Sequence, residues 1–259
     1  MFNYFKKAYC INLTSREDRW GRVKKEFELH GFSESIERFS AVNLRRFDFD
    51  EQYDVSIGPY HVVSAGGCLA SHRAIIQEAK DSGLENVLVF EDDVVFVDGG
   101  LPAFQQAVED LKDQDWALFY LGATVEKRMT TVTKNLFKTT LAKATHAIAY
   151  NHTIYDEILG TLPEGVNDML KFVKDRAALD DYFVKEIQPR PSKTLQREQA
   201  RGRKRHISFW IMTLSPLTFV DPSRFDIPAK YIYAKFLEKN YDSSFGKDLY
   251  LAHLKVWND

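Results

Sequence analysis

Three carboxylates in a row, Glu91, Asp92 and Asp93, close the apolar run Asn86-Val87-Leu88-Val89-Phe90. Such a run reads as a strand buried on both faces, so core-forming sequence is used to deliver negative charge to a strand end. Adjacent acids repel one another and lose solvation when half buried, an arrangement that calls for a cation. Their hard oxygens suit Mg2+ or Mn2+, ions that complete their coordination with phosphate oxygens and water. Strand alternation sends Glu91 and Asp93 to one side and Asp92 to the other, so two of the three can face one ion unless the chain bends. A water-facing acidic turn has the same sequence, and on these residues alone both readings stand.

Other residues invite the same weighing. Arg16 and Arg19 follow the first apolar strand, where guanidinium forks and backbone N–H groups can hold phosphate; they can equally pair with Glu17 and Asp18. Ser71 and His72 follow the Gly-rich segment Ala65-Gly66-Gly67-Cys68, and His72 either meets a diphosphate or positions a helix. A second acid pair, Asp180-Asp181, reads as catalytic or as an exposed helical pair. His146, inside an apolar strand, reads as a core histidine, and His206 borders a basic segment. The two cysteines, Cys10 and Cys68, show no metal-type or redox-type spacing and read as free and structural, as in a reducing compartment.

The elements that must position these residues alternate. Residues 8–13 form a strand; Thr14 and Glu17 have the spacing of a capping box that starts a helix ending at Gly31; residues 36–42 form a second strand. The Gly-rich segment reads as a turn leading into a helix over 69–80, followed by the strand that ends in the acids. A helix over 101–112, a strand over 116–121, a strand over 144–150 with a helix to 159, and a helix over 172–187 continue the pattern. Residues 207–220 read as a strand, and 229–257 as an amphipathic helical tail. The whole is α/β: a single domain with a mainly parallel central sheet covered by helices, spanning 1–227, plus a C-terminal helical extension over 228–259. Ligands of open α/β sheets bind beyond the carboxyl ends of the strands, where Asn12, Leu13, Arg16 and Arg19 follow one strand and the three acids end another.

Composition sets limits. The 259 residues, 44% hydrophobic, can bury a sizeable core. No apolar run approaches the roughly 20 residues needed to span a bilayer, and the first residues lack the order of a secretory signal, so a cytoplasmic protein is expected. The net charge of -2 conceals a basic segment: residues 188–206 carry seven basic residues against one acid, Glu198. With Pro189 and Pro191 at its start, it reads as an exposed loop that can act as a lid or meet phosphate, an anionic membrane surface in peripheral contact, or nucleic acid.

Taken in order, Ile11-Asn12-Leu13-Thr14-Ser15-Arg16-Glu17-Asp18-Arg19, Arg38-Phe39-Ser40-Ala41-Val42-Asn43, Gly67-Cys68-Leu69-Ala70-Ser71-His72, Val89-Phe90-Glu91-Asp92-Asp93-Val94, Asp115–Gly122 and Leu179-Asp180-Asp181-Tyr182-Phe183 resemble the successive motifs of glycosyltransferase family 25. That family includes bacterial lipooligosaccharide galactosyltransferases and collagen galactosyltransferases. The resemblance implies a GT-A type fold, a UDP-sugar donor, an acceptor hydroxyl on a glycan, lipid-linked or protein molecule, and inversion at the anomeric carbon. It also implies Mn2+ or Mg2+ at Asp93 and Glu91, donor contacts from Asn12, Leu13, Arg16, Arg19, Ser71, His72, Glu91 and Asp92, and Asp180 as general base with Asp181 in reserve. No nucleic-acid partner is expected. Two rivals remain from the sequence: a silent GT-A-like protein that binds anionic ligands, and a metal-dependent nucleotide phosphohydrolase.

Overall fold

The computed structural model describes residues 4–57, 60–96, 100–125, 130–138, 142–176, 178–188, 211–213 and 218–220. Apart from Val220, these belong to a unit running from Met1 to Phe219. The basic segment 189–206 and the tail 229–257 lie outside the described residues.

Eight strands form the main sheet: β1 (Ala8–Asn12), β2 (Glu37–Ser40), β3 (Asn86–Glu91), β4 (Leu118–Tyr120), β5 (Thr130–Thr131), β6 (Leu136–Lys138), β7 (Ala147–Asn151) and β8 (Ile211–Thr213), in the spatial order β2-β1-β3-β7-β4-β8-β6-β5. β1 pairs in parallel with both β2 and β3, and helices lie in the connections from β1 to β2 and from β2 to β3. Beyond β3 the sheet is mixed: β7 enters antiparallel between β3 and β4, while β4 and β8 run parallel. The helices are α1 (Glu17–Leu29), α2 (Val62–Asp81), α3 (Gly100–Leu111), α4 (His152–Leu159), α5 (Val166–Arg176) and α6 (Leu179–Tyr182), the last running on into a π-type turn over Phe183–Ile187.

The pleat sorts side chains to two cores. Tyr9, Ile11, Val87, Val89, Ile148 and Tyr150 pack with residues of α2, α4, α5 and α6 on one face. Ala8, Cys10, Leu88, Phe90, Ala147 and Ala149 pack with α1 and α3 on the other. Burial on both faces is why these strands read as continuous apolar runs rather than alternating ones.

Several local expectations change. Gly66 and Gly67 form no turn; they lie inside α2, which starts at Val62. A Cβ at Gly67 would stand 2.8 Å from the Val42 carbonyl oxygen, and one at Gly66 would stand 2.9 Å from Leu44 Cδ1. The glycines therefore serve close approach of helix to loop, which outweighs their helix penalty of about 1 kcal/mol each. Thr14 does not cap α1: the helix begins at Glu17, its N-cap is Arg16, and no side chain caps it. The helix expected over 172–187 is divided, with α5 ending at Arg176 and α6 starting afresh at Leu179, so Asp180 and Asp181 fall in a first helical turn.

Candidate functional site

The carboxyl end of β3 distributes its acids between the two faces of the sheet. Glu91 continues the face of Val87 and Val89 and turns toward α2; Asp92 continues the face of Leu88 and Phe90 and turns toward α1. β3 stops at Glu91, and Asp92 and Asp93 form a turn into the short strand Val94–Phe96. Alternation therefore ends before Asp93, which joins Asp92 beside Arg19 rather than standing with Glu91.

On the α1 side, Arg19 Nη2 lies 2.8 Å from Asp92 Oδ1 and 3.4 Å from Asp93 Oδ2. Asn12, 1% exposed, donates from Nδ2 to Asp92 Oδ2 at 2.6 Å and to the Arg16 carbonyl at 3.2 Å. Its Oδ1 accepts from Arg38 Nη2 at 2.6 Å and Nε at 3.0 Å. Arg38 also pairs with Glu17 at 2.8 Å and lies over the Trp20 ring. Asn12 thus ties β1, β2, α1 and the acidic turn into one polar junction. Arg16 faces outward in a two-pronged pair with Asp18. Leu13 helps line a cleft of about 240 Å³ at the carboxyl ends of β1 and β2, with Thr14, Ser15, Ser40–Asn43, Arg46 and Phe47.

On the α2 side, Glu91 Oε1 accepts from Thr145 Oγ1 at 2.6 Å, lies 3.5 Å from His72 Nε2 and meets the Cys68 thiol at 3.8 Å. Burial alone would raise the Glu91 pKa, but His72 and the Thr145 hydroxyl outweigh it and hold the carboxyl well below the usual range. His72 is fully buried, with Nδ1 2.8 Å from the Tyr150 hydroxyl. Ser71 is also fully buried: it donates to the Gly67 carbonyl at 2.7 Å and accepts from Val42 N at 2.8 Å. Its bonds pin the cleft-lining loop to α2.

Asp180 comes from far along the chain to the same region. Its Oδ2 accepts from Ala144 N at 3.2 Å, and Ala144 holds that N–H in place with a φ of 77°, a left-handed conformation uncommon for alanine. Burial raises the Asp180 pKa, and the charges of Asp181 and Glu91 raise it further, against the two backbone N–H groups that lower it. Asp181 instead pairs with Lys143 at 2.9 Å on a more open surface.

The structure therefore joins Asn12, Arg19, Asp92 and Asp93 in one cluster and His72 and Glu91 in another, with Asp180 bonded to Ala144, next to the Thr145 that bonds Glu91. Arg38, Cys68 and Thr145 are participants that the sequence reading did not assign. Arg38 lay in a motif already singled out; Thr145 carried no signal. Cys68 and His72 have helical i, i+4 spacing, a signal hidden by reading the glycines as a turn. His146 is buried, as expected of a core histidine, and its carbonyl accepts from Glu91 N at 2.9 Å. His206 lies outside the described residues. No helix among the described residues is long and apolar enough to cross a membrane.

The acids and arginines thus gather at the carboxyl edge of the sheet, the edge where ligands of open α/β sheets bind. Residues 5–182 match the profile of glycosyltransferase family 25, described as an LPS biosynthesis protein family, and the chain belongs to that family. Among relatives, a glycosyltransferase 25 family member of Aedes aegypti is 30% identical over 130 residues, which is 44% of this chain and 20% of the relative. Procollagen galactosyltransferase 1 of Danio rerio is 30% identical over 138 residues, 48% of this chain and 22% of the relative. The human protein named inactive glycosyltransferase 25 family member 3 is 41% identical over 129 residues, 46% of this chain and 22% of the relative. The chain thus spans about a fifth of the length of these relatives.

Proposed function

We propose that the protein is an inverting glycosyltransferase that moves galactose or a related sugar from a UDP-sugar to a hydroxyl of a glycan, lipid-linked or protein acceptor. Family membership supports sugar transfer. The observation that carries the mechanism is the convergence of the two acidic motifs, since Glu91 and Asp180 come from distant segments yet accept hydrogen bonds from adjacent residues, Thr145 Oγ1 and Ala144 N.

In this reading the diphosphate lies beyond the carboxyl ends of β1 and β3, near Arg19 and the cleft that Leu13 lines. The donor set at the end of β3 is all carboxylate oxygen, which fits Mg2+ or Mn2+. Asp93 would hold the ion, and Glu91, which is turned toward α2, would join it by swinging outward through the oxygen not engaged by Thr145; the ion would supply positive charge for a departing diphosphate. Asp92 holds Arg19 in position, and Asn12 holds Asp92. Asp180 accepts the proton of the acceptor hydroxyl: a raised pKa makes its carboxylate a stronger base than an ordinary aspartate, and two backbone N–H bonds fix its orientation. Anionic-surface contact by the basic segment belongs to the same reading.

The test is a donor screen read by nucleotide release with Mn2+ or Mg2+, followed by NMR of the transferred sugar. The expected product carries the sugar on an acceptor with inverted anomeric configuration. Cleavage within the diphosphate would assign a phosphohydrolase instead. Donor binding without turnover would assign a silent binding protein, the state named for the human relative.

A further inference from the structure

We infer that Cys68, His72 and Glu91 form a binding site for a thiophilic divalent ion of the zinc class, separate in chemistry from any Mg2+ or Mn2+ at the strand end. The three donor atoms lie within 4.8 Å of one another. Cys68 and His72 stand one turn apart on α2, so their side chains share a helical face, and the third donor comes from the end of β3. Two ligands at i, i+4 on a helix with a third from another element is a recurrent way to hold zinc.

The distances fit the ion. With Zn–S about 2.3 Å and Zn–N or Zn–O about 2.0–2.1 Å, a tetrahedral site has N···O edges of about 3.3 Å and S···O edges of about 3.6 Å. The observed separations are 3.5 Å for His72 Nε2 to Glu91 Oε1 and 3.8 Å for Cys68 Sγ to Glu91 Oε1, two edges within about 0.2 Å of those of a tetrahedral zinc site, and the third, Cys68 to His72, is within 4.8 Å. His72 Nε2 is buried, meets no hydrogen-bond partner in good geometry among the described residues and faces Glu91 Oε1 at 3.5 Å within this cluster. Its Nδ1 is held by the Tyr150 hydroxyl, and Glu91 Oε1 by the Thr145 hydroxyl. These are the outer bonds that orient imidazole and carboxylate ligands around a metal. In the metal-free protein the Cys68 thiol keeps its proton. Binding releases that proton to solvent as the thiolate coordinates. Three protein ligands leave a fourth position for water or another oxygen.

The site shares Glu91 with the hard-metal edge of the glycosyltransferase reading but does not depend on that reading, and its test uses metal alone. Co2+ is titrated into the purified full chain, and Zn2+ is then used to displace it. One equivalent of Co2+ is expected to bind, with a thiolate-to-metal charge-transfer band and the intense d–d bands of a tetrahedral site. Cys68→Ser should abolish the charge-transfer band, while Tyr150→Phe should weaken zinc binding by about 10- to 100-fold. X-ray absorption of the zinc-loaded wild-type chain needs no variant and should show one sulfur and the remainder nitrogen or oxygen. A zinc shell with no sulfur or with two, a charge-transfer band that survives Cys68→Ser, or displacement of Co2+ by equimolar Mg2+ would each overturn the site. These readouts follow metal binding alone and are distinguishable from the presence or absence of sugar transfer.

Discussion

Replacing Asn12 by aspartate is a one-atom test of the polar junction. Asn12 Nδ2 donates to Asp92 Oδ2 at 2.6 Å, and Asp92 is 6% exposed. In Asn12→Asp that donor becomes a second carboxylate oxygen facing the first. At an effective dielectric near 20, two unit charges about 4 Å apart cost roughly 4 kcal/mol. Arg38, already bonded to the Asn12 oxygen through two nitrogens, returns part of this, but it is partly exposed and shared with Glu17. A net loss of about 2–3 kcal/mol at neutral pH follows, equivalent to raising one carboxyl of the pair by about two pKa units. The sign follows from linkage. A folded-state pKa raised above the unfolded value near 3.9 gives stability that is present below the unfolded value and lost as pH rises through the folded one. The two carboxyls share a proton in acid, so the deficit relative to wild type should shrink to under about 1 kcal/mol near pH 4 and be full above about pH 7. Urea unfolding followed by tryptophan fluorescence at both pH values measures it. Asn12→Ala, which loses the bonds at any pH, serves as the reference and should cost about 1–3 kcal/mol with little dependence on pH. A deficit in Asn12→Asp that is absent at neutral pH, or that is equal at both pH values, would refute the junction as described.

Three further outcomes are expected. Asp180→Asn should keep donor binding and lower transfer by about 100- to 10,000-fold, with Asp181→Asn mattering much less. In wild type the acidic limb of kcat/KM should lie above the ordinary aspartate range, activity appearing as pH rises through the raised Asp180 pKa; a limb at or below about pH 4 would remove Asp180 as the base. Asp93→Ala should cut turnover by roughly 100-fold and excess chelator should abolish donor binding, so full activity in chelator would eliminate the hard-metal assignment. Gly67→Ala should destabilise by about 1–3 kcal/mol, because its Cβ would meet the Val42 carbonyl at 2.8 Å; an unchanged melting temperature would show that α2 does not need that approach.

Apolar periodicity made the βαβ start and the strand ending in acids legible, since strands buried on both faces announce themselves as apolar runs. It said less about strand direction. Nothing local in Ala147–Asn151 records that this strand enters antiparallel between β3 and β4, because direction depends on how the connecting chain returns. Boundaries failed where tertiary contact overrode local preference. Gly66-Gly67 has the composition of a turn, yet the Val42 backbone carbonyl approaches so closely that only glycine fits at position 67 inside α2.

The site followed the same rule. Alternation already implied that Glu91 and Asp92 diverge, and they do, one toward α2 and the other toward α1. What the sequence could not supply was the residue at which alternation stops, and that single boundary decides the company of Asp93. With the strand ending at Glu91, Asp93 shares Arg19 with Asp92. Glu91 is left to Cys68, His72 and Thr145. Moving the start of α2 back to Val62 places Cys68 and His72 on one helical face. The acidic triplet is therefore two chemical environments joined by one turn: a hard-oxygen edge paired with arginine, and a softer Cys-His-Glu cluster beneath it. Whether Asp93 draws Glu91 outward or Cys68 and His72 keep it inward is a competition for one carboxylate. Comparing Mn2+ affinity before and after one equivalent of Zn2+ measures that competition: weaker Mn2+ binding in the zinc-loaded protein is expected if the two environments share Glu91, and unchanged binding would mean that Asp93 holds its ion without it.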